Sequence, residues 1–277
     1  MGKGKPRAQK RRIEGEYEIS TGTARVLPDP ERDGAYILEI NKVPSSPIVL
    51  GAPRVLLFEY MVWASCAIEA FVETHRGTQD VHLTHLGGAA CTLPRYFADL
   101  WPTSRNEVVE LDEKLAAYVR EWFEFPEPPA VSITVAEARS ATHAMAPGST
   151  DVLVRDVFVG GDIPEHLCTV EFFAAAHRAL APGGLYVANH AAFPGLQTTR
   201  RELASMREVF PHVTAVADPE ILAGRMYGNM VLLGSDSPIE EEPILAQLRD
   251  ARAHATTKGG NWVDTVMGAT RPRHDKA

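Results

Sequence analysis

The spacing of apolar and polar positions changes character along the chain. Residues 17–26 and 36–40 are β-prone, and 28–34 between them is rich in turn residues. This pattern predicts a small β-hairpin region over 15–53, closed by a second turn cluster at 44–47. From 54 to 74 the period lengthens. Leu56, Leu57, Tyr60, Met61, Trp63, Ala64 and Ile68 recur with no Gly or Pro among them, which predicts a largely buried helix. Short apolar runs then alternate with amphipathic stretches. Strands are expected at 81–86, 107–111, 131–135, 151–157, 185–189, 213–217 and 230–234. Helices are expected at 93–100, 113–123, 164–180, 198–209 and 244–254, with Pro182-Gly183-Gly184 stopping the third. Such alternation predicts an α/β fold, a mostly parallel sheet with helices on both faces. It occupies 54–255, flanked by a basic tail at 1–14 and a polar tail at 256–277.

Composition narrows the function classes. The 277 residues carry a net charge of −8, so nucleic acid is not an expected partner. Cys66, Cys91 and Cys168 form neither a disulfide framework nor a metal motif. They read as small buried hydrophobes of a cytoplasmic protein. The start, MGKGKPRAQKRR, is basic, and no apolar stretch of a secretory signal follows it. No apolar run has the length of a membrane span. The histidines are scattered without metal-ligand spacing, and no metal is expected.

Four places carry the candidate chemistry, because ligands of open α/β sheets sit beyond the carboxyl ends of the strands. The first strand runs into Gly87-Gly88-Ala89-Ala90, where small residues let a ligand approach the backbone. A plain turn fits this stretch equally well. Glu110 ends the second strand about 20 residues later, where nucleotide-binding folds place the carboxylate that holds the ribose, or else it is a solvated side chain. Asp112, two residues on, fits the same ligand or a cap on the next helix. After the third strand, Glu137-Ala138 suits an adenine amino group and its ring, or a solvated loop. Asp156 ends the fourth strand and is a candidate general base or cation site. Gly160, Gly161 and Asp162 follow in a loop.

Taken together these stretches resemble the spermidine synthase (polyamine aminopropyltransferase) family over about residues 15–235. The resemblance rests on Leu86–Tyr96, on Val109-Glu110-Leu111-Asp112, on Asp151–Asp156 through Glu171-Phe172-Phe173, and on Leu180-Ala181-Pro182-Gly183-Gly184. It is strongest to a divergent, synthase-like branch. The resemblance implies a small N-terminal β region, a seven-stranded methyltransferase-like Rossmann sheet and a homo-oligomer, expected to be a dimer. It also implies that Glu110 holds the ribose of decarboxylated S-adenosylmethionine, S-adenosylmethionine or methylthioadenosine. Glu137 would read adenine, Asp156 would deprotonate the attacking amine, and Tyr60 would line the amine pocket. Asp162, from its place in the loop after Asp156, is a candidate for the same pocket or a cap for the helix near Pro164.

The departures from the family pattern are concentrated in the amine half. Ala89 and Ala90 stand where the family loop has a glycine and an aspartate. Met61 and Val62 replace a polar residue and a glutamate, Val159 an acid, and Ser45 a glutamine. The sequence therefore implies an adenosyl-dependent transferase acting on an amine that need not be putrescine. An S-adenosylmethionine-dependent methyltransferase and a non-catalytic nucleotide-binding homologue are the alternatives on the same scaffold.

Overall fold

The structure, a computed structural model, describes residues 13–276. Most of the expected basic tail lies outside these residues. Ile13, assigned to that tail, is instead buried beside Ile19 and Val26, and the Tyr17 hydroxyl donates to its carbonyl at 3.0 Å.

The N-terminal region is larger than a hairpin. Strands β1 (Gly15–Ile19), β2 (Gly22–Pro28), β3 (Ala35–Ile40) and β4 (Val43–Val49) form a sequential antiparallel sheet. The expected turn at 28–34 joins β2 to β3. The second cluster is not a turn, since β4 runs through Pro44 and Pro47. It is an edge strand, where a residue without an N–H is tolerated.

Helix α1 (Glu59–His75) leads into the main sheet and is buried along most of its length. Then come β5 (His82–Leu86), α2 (Thr92–Leu100), β6 (Arg105–Glu110), α3 (Glu113–Trp122), β7 (Val131–Val135), α4 (Ala138–Ala144) and β8 (Thr150–Arg155). A 3-10 turn at Glu165–Leu167 precedes α5 (Val170–Ala179), which takes Thr169 as its cap, so the helix expected at 164–180 is broken into two pieces. The chain continues through β9 (Leu180–Ala192), α6 (Gln197–Arg207), β10 (His212–Ala217), α7 (Pro219–Leu222) and β11 (Gly228–Ser235). Helix α8 (Glu241–Asp250) follows.

The expected loose tail at 256–277 is structured. Strand β12 (Thr256–Gly259) pairs antiparallel with β10, and α9 (Gly260–Met267) buries Val263. The strand is held by a neighbour some forty residues away, with Thr257 donating to Glu241 at 2.6 Å. Polar local composition does not reveal such tertiary pairing.

The main sheet has the order β12-β10-β11-β9-β8-β5-β6-β7. The seven expected strands are present and β12 is an eighth. Strands β11 and β12 run against the other six. The chain winds outward from β5 through β6 to β7, then returns to place β8 on the other side of β5. That reversal is the topological switch point, where open α/β sheets hold their ligands. Its register sets Leu86 of β5 opposite Arg155 of β8. Among the described residues, no helix is long and apolar enough to cross a membrane.

Candidate active site

At the switch point the two strand ends meet backbone to backbone. The Asp156 N–H donates to the Leu86 carbonyl at 2.8 Å. A side chain at Gly87 would put its Cβ 2.2 Å from the Asp156 carbonyl oxygen, and Gly87 has φ +89°. Only glycine fits there. At Gly88 a Cβ would lie 2.8 Å from Val108 and 3.2 Å from the Glu110 carboxylate. The turn is therefore a cradle whose two glycines let its backbone pack directly against Asp156, Val108 and Glu110.

Glu110 faces this cradle. Its Oε2 accepts from the N–H groups of Gly88 at 3.0 Å and Ala89 at 3.1 Å, and its Oε1 from Asp112 N–H at 2.9 Å. A half-buried carboxylate fixed by three N–H donors keeps about one acceptor site of its roughly four for a ligand hydroxyl.

The neighbouring acids have other tasks. Asp112 caps α3 through Leu115 N–H at 2.8 Å. It also accepts from Ser20 N–H, Thr21 N–H and the Thr21 hydroxyl, tying the β1–β2 turn to the main domain. Burial raises its carboxyl, but these donors outweigh burial and hold it below its ordinary value. Asp112 thus takes the capping role, and its carboxylate is committed to the protein. Glu137 likewise caps α4, accepting from the N–H groups of Arg139 and Ser140 at 2.8 Å each. His166 reaches the same carboxylate at 3.1 Å. Ala138 lies buried beside it on the cavity wall.

Asp156 emerges from β8 into the same cavity. The Tyr60 hydroxyl donates to its Oδ2 at 2.8 Å, and Asn189 of β9 donates to its Oδ1 at 2.9 Å. Asn229 in turn donates to the Asn189 oxygen at 2.9 Å. Burial pushes the Asp156 carboxyl above its ordinary value, against the lowering effect of these two donors. Burial also drives the Tyr60 phenol well above its ordinary value, reinforced by the adjacent carboxylate. Tyr60 therefore stays protonated and acts as a donor.

Asp162, expected near the amine pocket, lies elsewhere. It is exposed, and a two-residue bridge with Val159 turns it toward a separate cavity of about 400 Å³ behind the loop. The glycines at 160 and 161 line the main cavity, but Asp162 does not.

Sequence reasoning missed Asn189, Asn229 and a buried cluster behind them. Asn189 had a usable signal, because like Asp156 it follows an apolar run on a central strand. Alternation along β8 and β9 sends Asp156 and Asn189 to the cavity, and Arg155 and His190 to the opposite side. There Arg155 pairs with Glu202 of α6 at 2.5 Å, and His190 approaches the same carboxylate at 2.7 Å. Burial raises the Glu202 carboxyl, yet the Arg155 charge and His190 more than offset it and hold it at about 2.

The main cavity measures about 850 Å³, toward the upper end of the roughly 300–1,000 Å³ of small-molecule sites. Tyr60, Gly87, Gly88, Glu110, Glu137 and Asp156 all line it. Among the described residues, no group of three His, Cys, Asp or Glu side chains is arranged to hold a metal ion.

No family model matches the chain. A segment of 135 residues is 30% identical to an N-terminal histidine N-methyltransferase of Emericella nidulans, covering 47% of this chain and 24% of that protein. A segment of 172 residues is 29% identical to a polyamine aminopropyltransferase of Vibrio vulnificus, covering 61% of this chain and 54% of the relative. The chain thus spans about a quarter and about half of these two proteins. The crystal structure of a probable spermidine synthase from Corynebacterium glutamicum is 44% identical with a TM-score of 0.90, covering 96% of this chain and 97% of the other. On a match that runs nearly end to end in both chains, this protein belongs to the spermidine synthase family.

Proposed function

We propose that the chain is a transferase that takes an adenosyl-sulfonium cosubstrate, decarboxylated S-adenosylmethionine, and moves its aminopropyl group to an amine. The observation that carries this reading is the Asp156 carboxylate, held by Tyr60 and Asn189 in the cavity that also contains the Gly87–Gly88 cradle and Glu110. A backbone turn that brings no side chain to the cavity wall, faced by a carboxylate, suits a ribose, so Glu110 would accept one of its hydroxyls. Ala138 and the Glu137 end of α4 would flank the adenine. The cosubstrate supplies an electrophilic carbon beside a positive sulfur.

The chain's own contribution is alignment and proton removal. An amine arrives as an ammonium and is held by Asp156. It gives one proton to that carboxylate, and the nitrogen lone pair then forms the bond to the carbon. The carbon–sulfur bond breaks, and its electron pair leaves with sulfur as a neutral thioether. Confinement beside Asp156 supplies much of the acceleration by fixing the reacting atoms.

Methyl transfer from S-adenosylmethionine is the second reading. It is favoured by the segment shared with the histidine N-methyltransferase and by Ala90, a fully buried alanine in the turn where the family has an aspartate. Calorimetry with methylthioadenosine and with S-adenosylmethionine tests adenosyl binding, and product mass separates the two reactions. Failure of both ligands to bind folded protein at millimolar concentration would end both readings. We also take the protein to be a homodimer, to be checked by light scattering.

A further inference from the structure

Among the described residues, seven large apolar side chains are exposed, and five of them line the main cavity: Val43, Leu111, Val159, Met226 and Tyr227. Val159 is 67% exposed and Tyr227 59%. A sixth, Phe193, lies with its ring centre 5.0 Å from that of Tyr227. Single exposed apolar residues are ordinary, but a cluster around one cavity mouth marks a surface that a ligand covers. The residues come from five separate places: the small sheet, the end of β6, the loop after Asp156, the end of β9, and the turn before β11.

The charges tell the complementary story. Five acidic side chains line the cavity: Glu59, Glu110, Asp112, Glu137 and Asp156. Glu110, Asp112 and Glu137 are bonded to backbone N–H groups. Glu59 is exposed at the start of α1. Asp156 alone sits between Tyr60 and Asn189, where an ammonium would be held. Met61 and Val159 line the same cavity. A second cation would lose water against methyl and aromatic groups, and among the described residues the exposed, solvent-screened Glu59 is the one lining carboxylate left to meet it, which is unfavourable.

Resting on the reading of the site as an amine transferase, we infer that the acceptor is a primary amine with one cationic nitrogen and an apolar or aromatic body. Its nitrogen reaches Asp156, and its body is covered by Val159, Met226 and Tyr227. Aliphatic diamines are the poorer acceptors. The bond changes are those of the transfer described above, with the acceptor's carbon skeleton untouched.

The test is a titration of amines into the full chain saturated with methylthioadenosine, using 2-phenylethylamine, hexylamine and 1,4-diaminobutane. Both monoamines should bind at least about tenfold more tightly than the diamine, the scale on which an apolar pocket discriminates. Tyr227→Ser, at an exposed position, should weaken 2-phenylethylamine about fivefold or more and leave methylthioadenosine affinity unchanged. Val159→Asp should narrow the gap by strengthening the diamine, and Glu59→Gln should change no affinity by more than about twofold. Three results would overturn the inference: a diamine that binds as tightly as the monoamines, a Tyr227→Ser protein with unaltered amine affinity, or one whose only change is a smaller assembly by light scattering. If methylthioadenosine itself fails to bind, the nucleoside reading falls. The same three amines titrated into the unliganded chain then still decide this one.

Discussion

The side-chain amide of Asn189 donates to Oδ1 of Asp156 at 2.9 Å, across neighbouring parallel strands. The register that pairs Arg155 with Ala188 brings the next residue of each strand side by side. Tyr60 holds the other oxygen from α1. Three elements distant in sequence thus fix one carboxylate, with the raised proton affinity that suits a general base.

Asp156→Asn keeps the shape of that carboxylate and removes its charge. It should leave methylthioadenosine affinity within about twofold and lower turnover by roughly 100-fold or more, the usual worth of a general base. A variant as active as the parent would remove Asp156 from the mechanism.

Asn189→Ala should act through the same group in a different way. The amide bond favours the ionised carboxylate, so its loss raises the Asp156 proton affinity further. Asp156 must be ionised to accept a proton. The acid limb of the kcat profile should therefore move to higher pH in the variant, with the plateau less affected. An unmoved limb, with activity lost equally at every pH, would mean that Asn189 serves only packing.

Gly87→Ala tests the cradle. The added Cβ would collide with the Asp156 carbonyl, and its φ of +89° is unfavourable for alanine. Strain of about 1–2 kcal/mol is expected from the backbone alone, and the collision adds to it. The variant should melt several degrees lower and lose most of its methylthioadenosine affinity. Gly161→Ala, where no atom lies near a Cβ, shares the backbone term and lacks the collision, so it should lose less.

Much of this architecture is written locally. The glycine turn, Glu110 and Asp156 each close an apolar run, and strand ends are where this fold class keeps its chemistry. The capping roles of Asp112 and Glu137 depend on where a helix begins, and α4 is too short to show a period. Asn189 acquires its role only through a partner 33 residues away on another strand. The direction of Asp162 is set by the bridge to Val159, which loop composition does not reveal. Glu202 was the least legible. A glutamate in a helix reads as surface, and only the strand order puts Arg155 and His190 opposite it.

That buried cluster gives the last prediction. Glu202 joins the far sides of β8 and β9 through Arg155 and His190, directly behind Asp156 and Asn189. Its carboxyl is held at about 2 in the folded protein, against about 4.3 in an unfolded chain. The folded value is depressed, so the stabilisation is complete above about pH 4.3 and is lost as pH falls toward 2. His85 adds a separate sensitivity at less acidic pH. Burial, only partly offset by its bond to Asn106, pushes its imidazole down to about 4, from about 6.5 when unfolded. The unfolded chain therefore binds the extra proton between these values, and stability declines from about pH 6.5 to pH 4. Denaturant unfolding across this range should show two successive losses. His85→Gln should flatten the upper one and leave the lower. Glu202→Gln should diminish the lower one, to which the depressed Asp112 and Glu137 carboxyls also contribute, and cost about 3–5 kcal/mol at neutral pH, because Arg155 is left buried without its counter-charge. A Glu202→Gln protein with parental stability at pH 7, or one whose lower loss is undiminished, would show that the ion pair does not hold the two strand ends.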